Sequence, residues 1–398
     1  MINKSFTAFL IAQLAIGCIC TAPLIAQKKA TLTSVEKNKV YGGFAHSGFI
    51  FVHTKQVENT RGAKPKGIEF EYSTQLNDSA TYQHWGFYTR SGYTLSYFDF
   101  GTKILGKSLS AGYFIEPIYK LGKRSDLRIK GTVGLSYLSN PGTEDIYSTH
   151  FDTSNHTYSS YINAFLQLGI SYGYQINNHY TLQLKGSYNH NSNGGFTKPN
   201  RGINFPTASI GLLYHTQSNH LKKYKRIKQH DWKLLKPSLT VGLFATPKEG
   251  YKEKYQRKLV IGGWAQVAKQ VSSFNAVTGT VEAYYDGALA LTKSSGYMDI
   301  TTNTLISDKS SNVFVSMAVG NEFLINKFTF FQQFGYHLLN DTKLYNQYYR
   351  KGQGNIGNWY QRYGLNMRVA PKWQVGFSLL ARGSVADFID LRCMYRIK

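Results

Sequence analysis

The chain has 398 residues, a formal net charge of +24 from 46 Lys and Arg against 22 Asp and Glu, and aromatic residues at 15% of its length. With 30 Tyr, 24 Phe and 37 Gly, the composition favours twisted strands bounded by aromatic bands over helices. It excludes a disulfide-built or cysteine-metal protein, because two of its three Cys, Cys18 and Cys20, fall in the N-terminal leader and leave only Cys393.

Residues 1–26, "MINKSFTAFLIAQLAIGCICTAPLIA", join a basic start at Lys4 to an apolar run and end on Ala26, which is the pattern of a secretory signal peptide. A lipoprotein reading of "LAIGC", with Cys18 lipidated, ranks second because the apolar run continues past Cys18. Beyond this leader no stretch of about 18 apolar residues occurs, so no transmembrane helix is available. A membrane protein with this sequence has to be a closed barrel.

Period-two alternation predicts strands near residues 41–52, 67–75, 84–98, 108–120, 127–138, 161–174, 180–192 and 204–216. In "GIEFEYSTQ", for example, Ile68, Phe70 and Tyr72 alternate with Glu69, Glu71 and Ser73. Tight polar connections follow the second, fourth and sixth strands ("LNDSAT", "GKRS", "INN"), whereas residues 139–160 form a long loop. A second set is predicted near 236–246, 256–270, 275–289, 312–325, 328–340, 358–370, 372–382 and 386–397, with long loops at 290–311 and 341–357. At the C-terminus, Ile389, Leu391, Cys393, Tyr395 and Ile397 share one face and Asp390, Arg392, Met394, Arg396 and Lys398 the other.

Short turns at one end, long loops at the other and an even strand count predict an all-β, antiparallel transmembrane β-barrel protein of about sixteen strands. The division is a catalytic barrel half over 27–216, a basic periplasmic connector over 217–235 and C-terminal barrel strands over 236–398. Either one large barrel or two eight-stranded ones satisfies this pattern. In a soluble protein the positive charge would suggest nucleic acid, but no recognition helix or zinc knuckle accompanies it. The expected anionic partners are outer-membrane lipid phosphates, and most of the lysines serve only to solvate loops.

Chemistry concentrates in "YNHNSNGGF", residues 188–196. Along the seventh strand, His190 and Ser192 share a face with Tyr180, Leu182, Leu184 and Tyr188, so the pair is expected on the lipid-facing side near the long-loop end. Asn204 is expected opposite the pair on the next strand. A serine hydroxyl needs a base to take its proton, an imidazole one same-face step away is within reach, and an Asn oxygen can fix the imidazole tautomer. Asn193 or nearby glycine amides such as that of Gly194 can donate to an oxyanion. Other histidines carry weaker signals: His46 and His53 in "HSGFIFVH" read as residues flanking a strand, and "HFDTSNH" as loop.

The stretch "HNSNGGFTKPNRGINFPTASIGLLY" resembles the active-site hairpin of the lipid A 3-O-deacylase family, the PagL-like acyloxyacyl hydrolases. The likeness extends more loosely over residues 41–216, and the C-terminal half is matched only in barrel character. The resemblance implies an outer-membrane serine esterase acting on lipid A of lipopolysaccharide, with Ser192 as nucleophile, His190 as base and Asn193 at the oxyanion. The family's acid, commonly Glu, falls at Asn204. Outer-membrane phospholipase A is a second resemblance, with a His-x-Ser-Asn-Gly core and an Asn third member. That family uses calcium, yet no carboxylate lies between Asn193 and Asn204. No cofactor is therefore expected, and Lys198 and Arg201 are candidate contacts for substrate phosphates. A third reading, of another class, is a non-enzymatic porin-like barrel.

Overall fold

The computed structural model describes residues 37–53, 55–142, 155–197, 199–225, 234–249, 257–272, 274–288, 297–299, 304–306, 312–325, 328–339, 358–382 and 385–397. The signal-peptide reading, Cys18 and Cys20, and Lys198 lie outside them.

The first eight strands close into one antiparallel barrel. They are β1 (Lys37–Gly48), β2 (Lys66–Leu76), β3 (Tyr88–Asp99), β4 (Lys107–Lys120), β5 (Ser125–Leu138), β6 (Ile162–Gln175), β7 (Tyr180–Ser192) and β8 (Ile203–His215). Closure comes from β1 pairing with β8, Val40 opposite His215 through Gly48 opposite Thr207. A second closed barrel comprises β9 (Ser238–Glu249), β10 (Arg257–Gln270), β11 (Asn275–Asp286), β14 (Val313–Ile325), β15 (Phe328–Leu339), β16 (Trp359–Arg368), β17 (Trp373–Arg382) and β18 (Val385–Arg396). Between β11 and β14, a two-stranded sheet of β12 (Tyr297–Asp299) and β13 (Thr304–Ile306) occupies the stretch expected to be a plain loop. The choice between one barrel and two is thus settled by the pairings that close each ring.

Two boundaries differ from expectation for local reasons. Residues 84–87 are not strand, because a short helix α1 (Ser79–Trp85) forms there, with the Asp78 carboxylate accepting from the Thr81 amide and left-handed Gly86 ending it. The first strand begins at Lys37 and ends at Gly48, four residues earlier than predicted. Its ladder nevertheless persists, since the Phe49 and Phe51 amides donate to the Pro206 and Asn204 carbonyls at 3.2 and 2.8 Å.

Alternation sorts the side chains of the first barrel. Outward positions include Phe70, Tyr93 and Leu135, each about three-fifths exposed (58%, 66% and 63%). Tyrosines 41, 72, 172, 174, 180 and 214 face out toward the short-turn end, and Tyr97, Tyr137 and Tyr161 toward the long-loop end. Such a band around a closed sheet is a lipid-facing surface.

Inward positions carry charge and are buried in pairs. Lys130 Nζ reaches Glu69 and Glu71 at 2.7 and 2.5 Å, Lys185 Nζ reaches Glu69 at 2.7 Å, and Arg90 bridges Glu71 and Glu116 at 2.7 and 2.9 Å. Arg128 extends the network to Asp126 at 2.6 Å. Apolar clusters lie at both ends: Phe98, Phe100, Leu105, Leu138, Tyr158, Ile203 and Phe205 at the long-loop end, and Tyr82, Tyr88, Ile118 and Leu221 at the other. An eight-stranded barrel has just enough interior for its own side chains, and these fill it.

The second barrel repeats the scheme. Arg362 pairs with Glu282 at 2.6 Å and with Asp390, and Lys248 reaches Asp286 and Asp387 at 2.7 Å. Leu391 and Cys393 face outward on β18 while Asp390, Arg392 and Met394 face inward, as the alternation predicts.

Candidate active site

His190 and Ser192 sit on the last turn of the pleat of β7, on its outward row, where β6 and β8 flank them. The register puts His190 between Leu166 of β6 and Asn204 of β8, and Ser192 beside Ala164. Ser192 is nonetheless buried (4% exposed), and His190 partly so. Loop backbone gathers around the pair: the Arg201 and Gly202 amides both donate to the Thr157 carbonyl, at 2.8 and 2.9 Å. Gly202 adopts φ +73°, and a Cβ there would lie 2.7 Å from His190 Cε1 and 3.4 Å from Ser192 Cβ. Only a glycine lets that backbone pass so close to the imidazole.

The polar contacts run in one direction. His190 Nδ1 and Asn204 Oδ1 are 2.6 Å apart, a hydrogen bond in which the ring donates because an amide oxygen only accepts. His190 Nε2 has no hydrogen-bond partner among the described residues, which leaves its lone pair available. No hydrogen bond links Ser192 Oγ to His190 here. The same-face step between their backbones is roughly 6.6–7 Å, which is within side-chain reach.

The positions around the pair divide. The Asn193 backbone amide donates to Asn200 Oδ1 at 3.0 Å, and its side-chain amide reaches Ser159 Oγ at 3.4 Å. An oxyanion role for Asn193 through its backbone N–H therefore competes with an existing partner. Gly194 follows in a turn at φ +65°, and the Asn200 Nδ2, held beside residue 193, is a buried donor with no partner among the described residues. Arg201 contributes its carbonyl to the site, accepting from His53 Nε2 at 2.9 Å.

Two further residues meet the site. Asn200 carries no periodic signal because it lies in the hairpin loop. His53 is expected to flank a strand, but the extended segment past β1 continues its alternation, so Phe49, Phe51 and His53 follow the outward positions of the strand. The His53 ring meets Asn204, with Nδ1 3.1 Å from Asn204 Nδ2. The signal that points to it is that parity, counted from Tyr41 through Ala45 and Ser47. Its partner in the motif, His46, faces the lumen, 3.7 Å from Glu69. Among the described residues no group of three or more His, Cys, Asp or Glu is arranged to hold a metal ion.

Two family models match this chain: the lipid A 3-O-deacylase (PagL) model over residues 146–213, and the acyloxyacyl hydrolase, C-terminal domain, model over residues 237–398. Over these two stretches the chain belongs to the PagL family. The first stretch contains β6, β7 and most of β8, with His190, Ser192 and Asn204, and the second spans the other barrel. No curated protein sequence matches the chain. Solved structures similar to it include Neisserial surface protein A (13% identity, 44% of this chain and 96% of that one, TM-score 0.31). The outer membrane enzyme PagL (16%, 43% and 97%, TM-score 0.30) and Ail of Yersinia pestis (13%, 45% and 97%, TM-score 0.27) are others. Closed barrels with an apolar outward band and aromatic girdles are an outer-membrane architecture, and the PagL-family chain is an outer-membrane protein of a Gram-negative envelope.

Proposed function

We propose that the chain is an outer-membrane serine esterase that removes an ester-linked acyl chain from lipid A, with Ser192, His190 and Asn204 as its catalytic group. The observation that carries this reading is the 2.6 Å contact between His190 Nδ1 and Asn204 Oδ1. It puts the ring proton on Nδ1 and leaves Nε2 as a base on the same outward row as the Ser192 hydroxyl. The family match over β6 to β8 supports the substrate class.

In the proposed reaction, Ser192 Oγ attacks the ester carbonyl as its proton passes to His190 Nε2. The carbonyl electrons move to oxygen, for which the buried Asn200 Nδ2 is a candidate donor. Collapse breaks the bond to the sugar oxygen, which takes the proton from His190 and leaves as an alcohol. Water then gives a proton to His190, attacks the acyl-serine and releases the fatty acid, returning the proton to Ser192. Asn204 holds the imidazole but carries no charge, so it stabilises imidazolium less than a carboxylate would. Arg201, in the loop beside the site, is a candidate contact for a headgroup phosphate, and Lys198 remains one by sequence.

Mass spectrometry of lipid A and phospholipids tests this in cells making the wild type or Ser192→Ala. Loss of one acyl chain from lipid A only with the wild type is expected. Lysophospholipid in its place would mean a phospholipase A, and ionic conductance without any lipid turnover a porin-like barrel.

A further inference from the structure

His53 lies outside the three residues of the proposed catalytic group, on a segment brought to the site only by barrel closure. Its Nε2 is 2.9 Å from the Arg201 carbonyl, which can only accept, so that nitrogen carries the ring proton. A neutral imidazole has one N–H, and Nδ1 is therefore an acceptor. The Asn204 atom facing it at 3.1 Å must then be the amide NH2, which turns Oδ1 to His190. The order of donors, His190 to Asn204 to His53 to the Arg201 carbonyl, is set from its far end.

We propose that His53 is a positioning residue that fixes the orientation of the Asn204 amide and, through it, the His190 tautomer. The proposal rests on the esterase reading above. It answers a difficulty that a carboxylate in this place would not have. A carboxylate presents an acceptor whichever way it turns, but an amide has two unlike ends, and the flipped one offers NH2 to His190 Nδ1. That would draw the proton to His190 Nε2 and abolish the base. A chain with an amide at this position needs a second group to forbid the flip, and the Nδ1 of His53 is that group. The Phe51 carbonyl, 3.4 Å from the same nitrogen, gives it an acceptor only when the ring is protonated.

The test measures kcat and KM for lipid A deacylation by purified full-length variants, each first checked for native folding by its urea midpoint. His53→Leu should lower kcat about tenfold to a hundredfold with KM within about twofold. His53→Asn, which retains an acceptor near the Nδ1 position, should recover most of that loss. In an Asn204→Asp background, where no flip exists, His53→Leu should cost no further rate. Histidine nitrogen chemical shifts give a readout independent of turnover: His190 should be the Nδ1–H tautomer in the wild type and a mixture in His53→Leu. Wild-type kcat in His53→Leu, or an equal loss in both backgrounds, would overturn the proposal. Inactivity of Ser192→Ala alongside an unaffected His53→Leu would do so while sparing the esterase reading, whereas full activity of Ser192→Ala would remove that reading itself.

Discussion

Gly202→Ala is the sharpest probe of where the imidazole sits. The added Cβ would stand 2.7 Å from His190 Cε1, 3.2 Å from the Asn191 carbonyl oxygen and 3.4 Å from Ser192 Cβ. Carbon atoms in good contact stay about 3.5–4.0 Å apart, so the ring must retreat by roughly 1 Å. The backbone cannot yield easily, because the Gly202 amide is tied to the Thr157 carbonyl at 2.9 Å. A misplacement of about 1 Å at a catalytic group costs on the order of 100-fold in rate, or about 2.7 kcal/mol of barrier. The same substitution forces alanine to φ +73°, which costs about 1–2 kcal/mol of stability. Turnover of lipid A in detergent and the urea midpoint separate the two effects. Gly186→Ala is the control, since its Cβ would meet nothing within 4 Å on the same outward row. A folded Gly202→Ala protein with kcat within about threefold of wild type would refute the placement of His190 as the base.

Ser192→Ala should fold normally and lose activity by three or more orders of magnitude, on the order of serine hydrolase knockouts; retained turnover in the lipid A assay would remove Ser192 from the reaction. Because no carboxylate lies between Asn193 and Asn204, a calcium chelator should leave turnover unchanged, and loss restored by added calcium would favour the phospholipase A reading. Glu69→Ala should cost about 3–5 kcal/mol in a urea titration, since it leaves the buried Lys130 and Lys185, each 2.7 Å from Glu69 Oε1, to share Glu71 alone and unpairs the Gln167 amide at 2.9 Å; a cost below about 1 kcal/mol would mean the lumen network is not stabilising. Burial pushes the His53 pKa below the ordinary histidine value, and the Arg201 guanidinium adds to the shift. His53 thus stays neutral above that lowered pKa and acts as an acceptor there, so activity should fall as pH drops through it, with His190 as the titrating neighbour. The His53→Asn variant should lose the His53 step of the acid limb, and an unchanged profile would contradict this.

The strands were legible because their cause is local. Ile68, Phe70 and Tyr72 alternate with Glu69, Glu71 and Ser73 whatever the rest of the chain does, and a two-residue period states both the element and its two faces. The same parity placed His190, Ser192 and Asn204 on one row, and the tight turns marked one end of the barrel. Helix α1 departs from the alternation because Asp78 and Gly86 cap it, a local signal that period-two patterning does not carry. What the chain alone could not state is which strands close a ring. Two eight-stranded barrels and one of sixteen differ only in the partners of β1, β8, β9 and β18, pairs joined by hydrogen bonds between distant backbones that leave no trace in side-chain periodicity. Closure of β1 onto β8 also carries His53 to Asn204, 151 residues away. The sequence determined which residues face outward; tertiary closure decided which outward residues meet, because that depends on register across the seam and not on any neighbour in the chain.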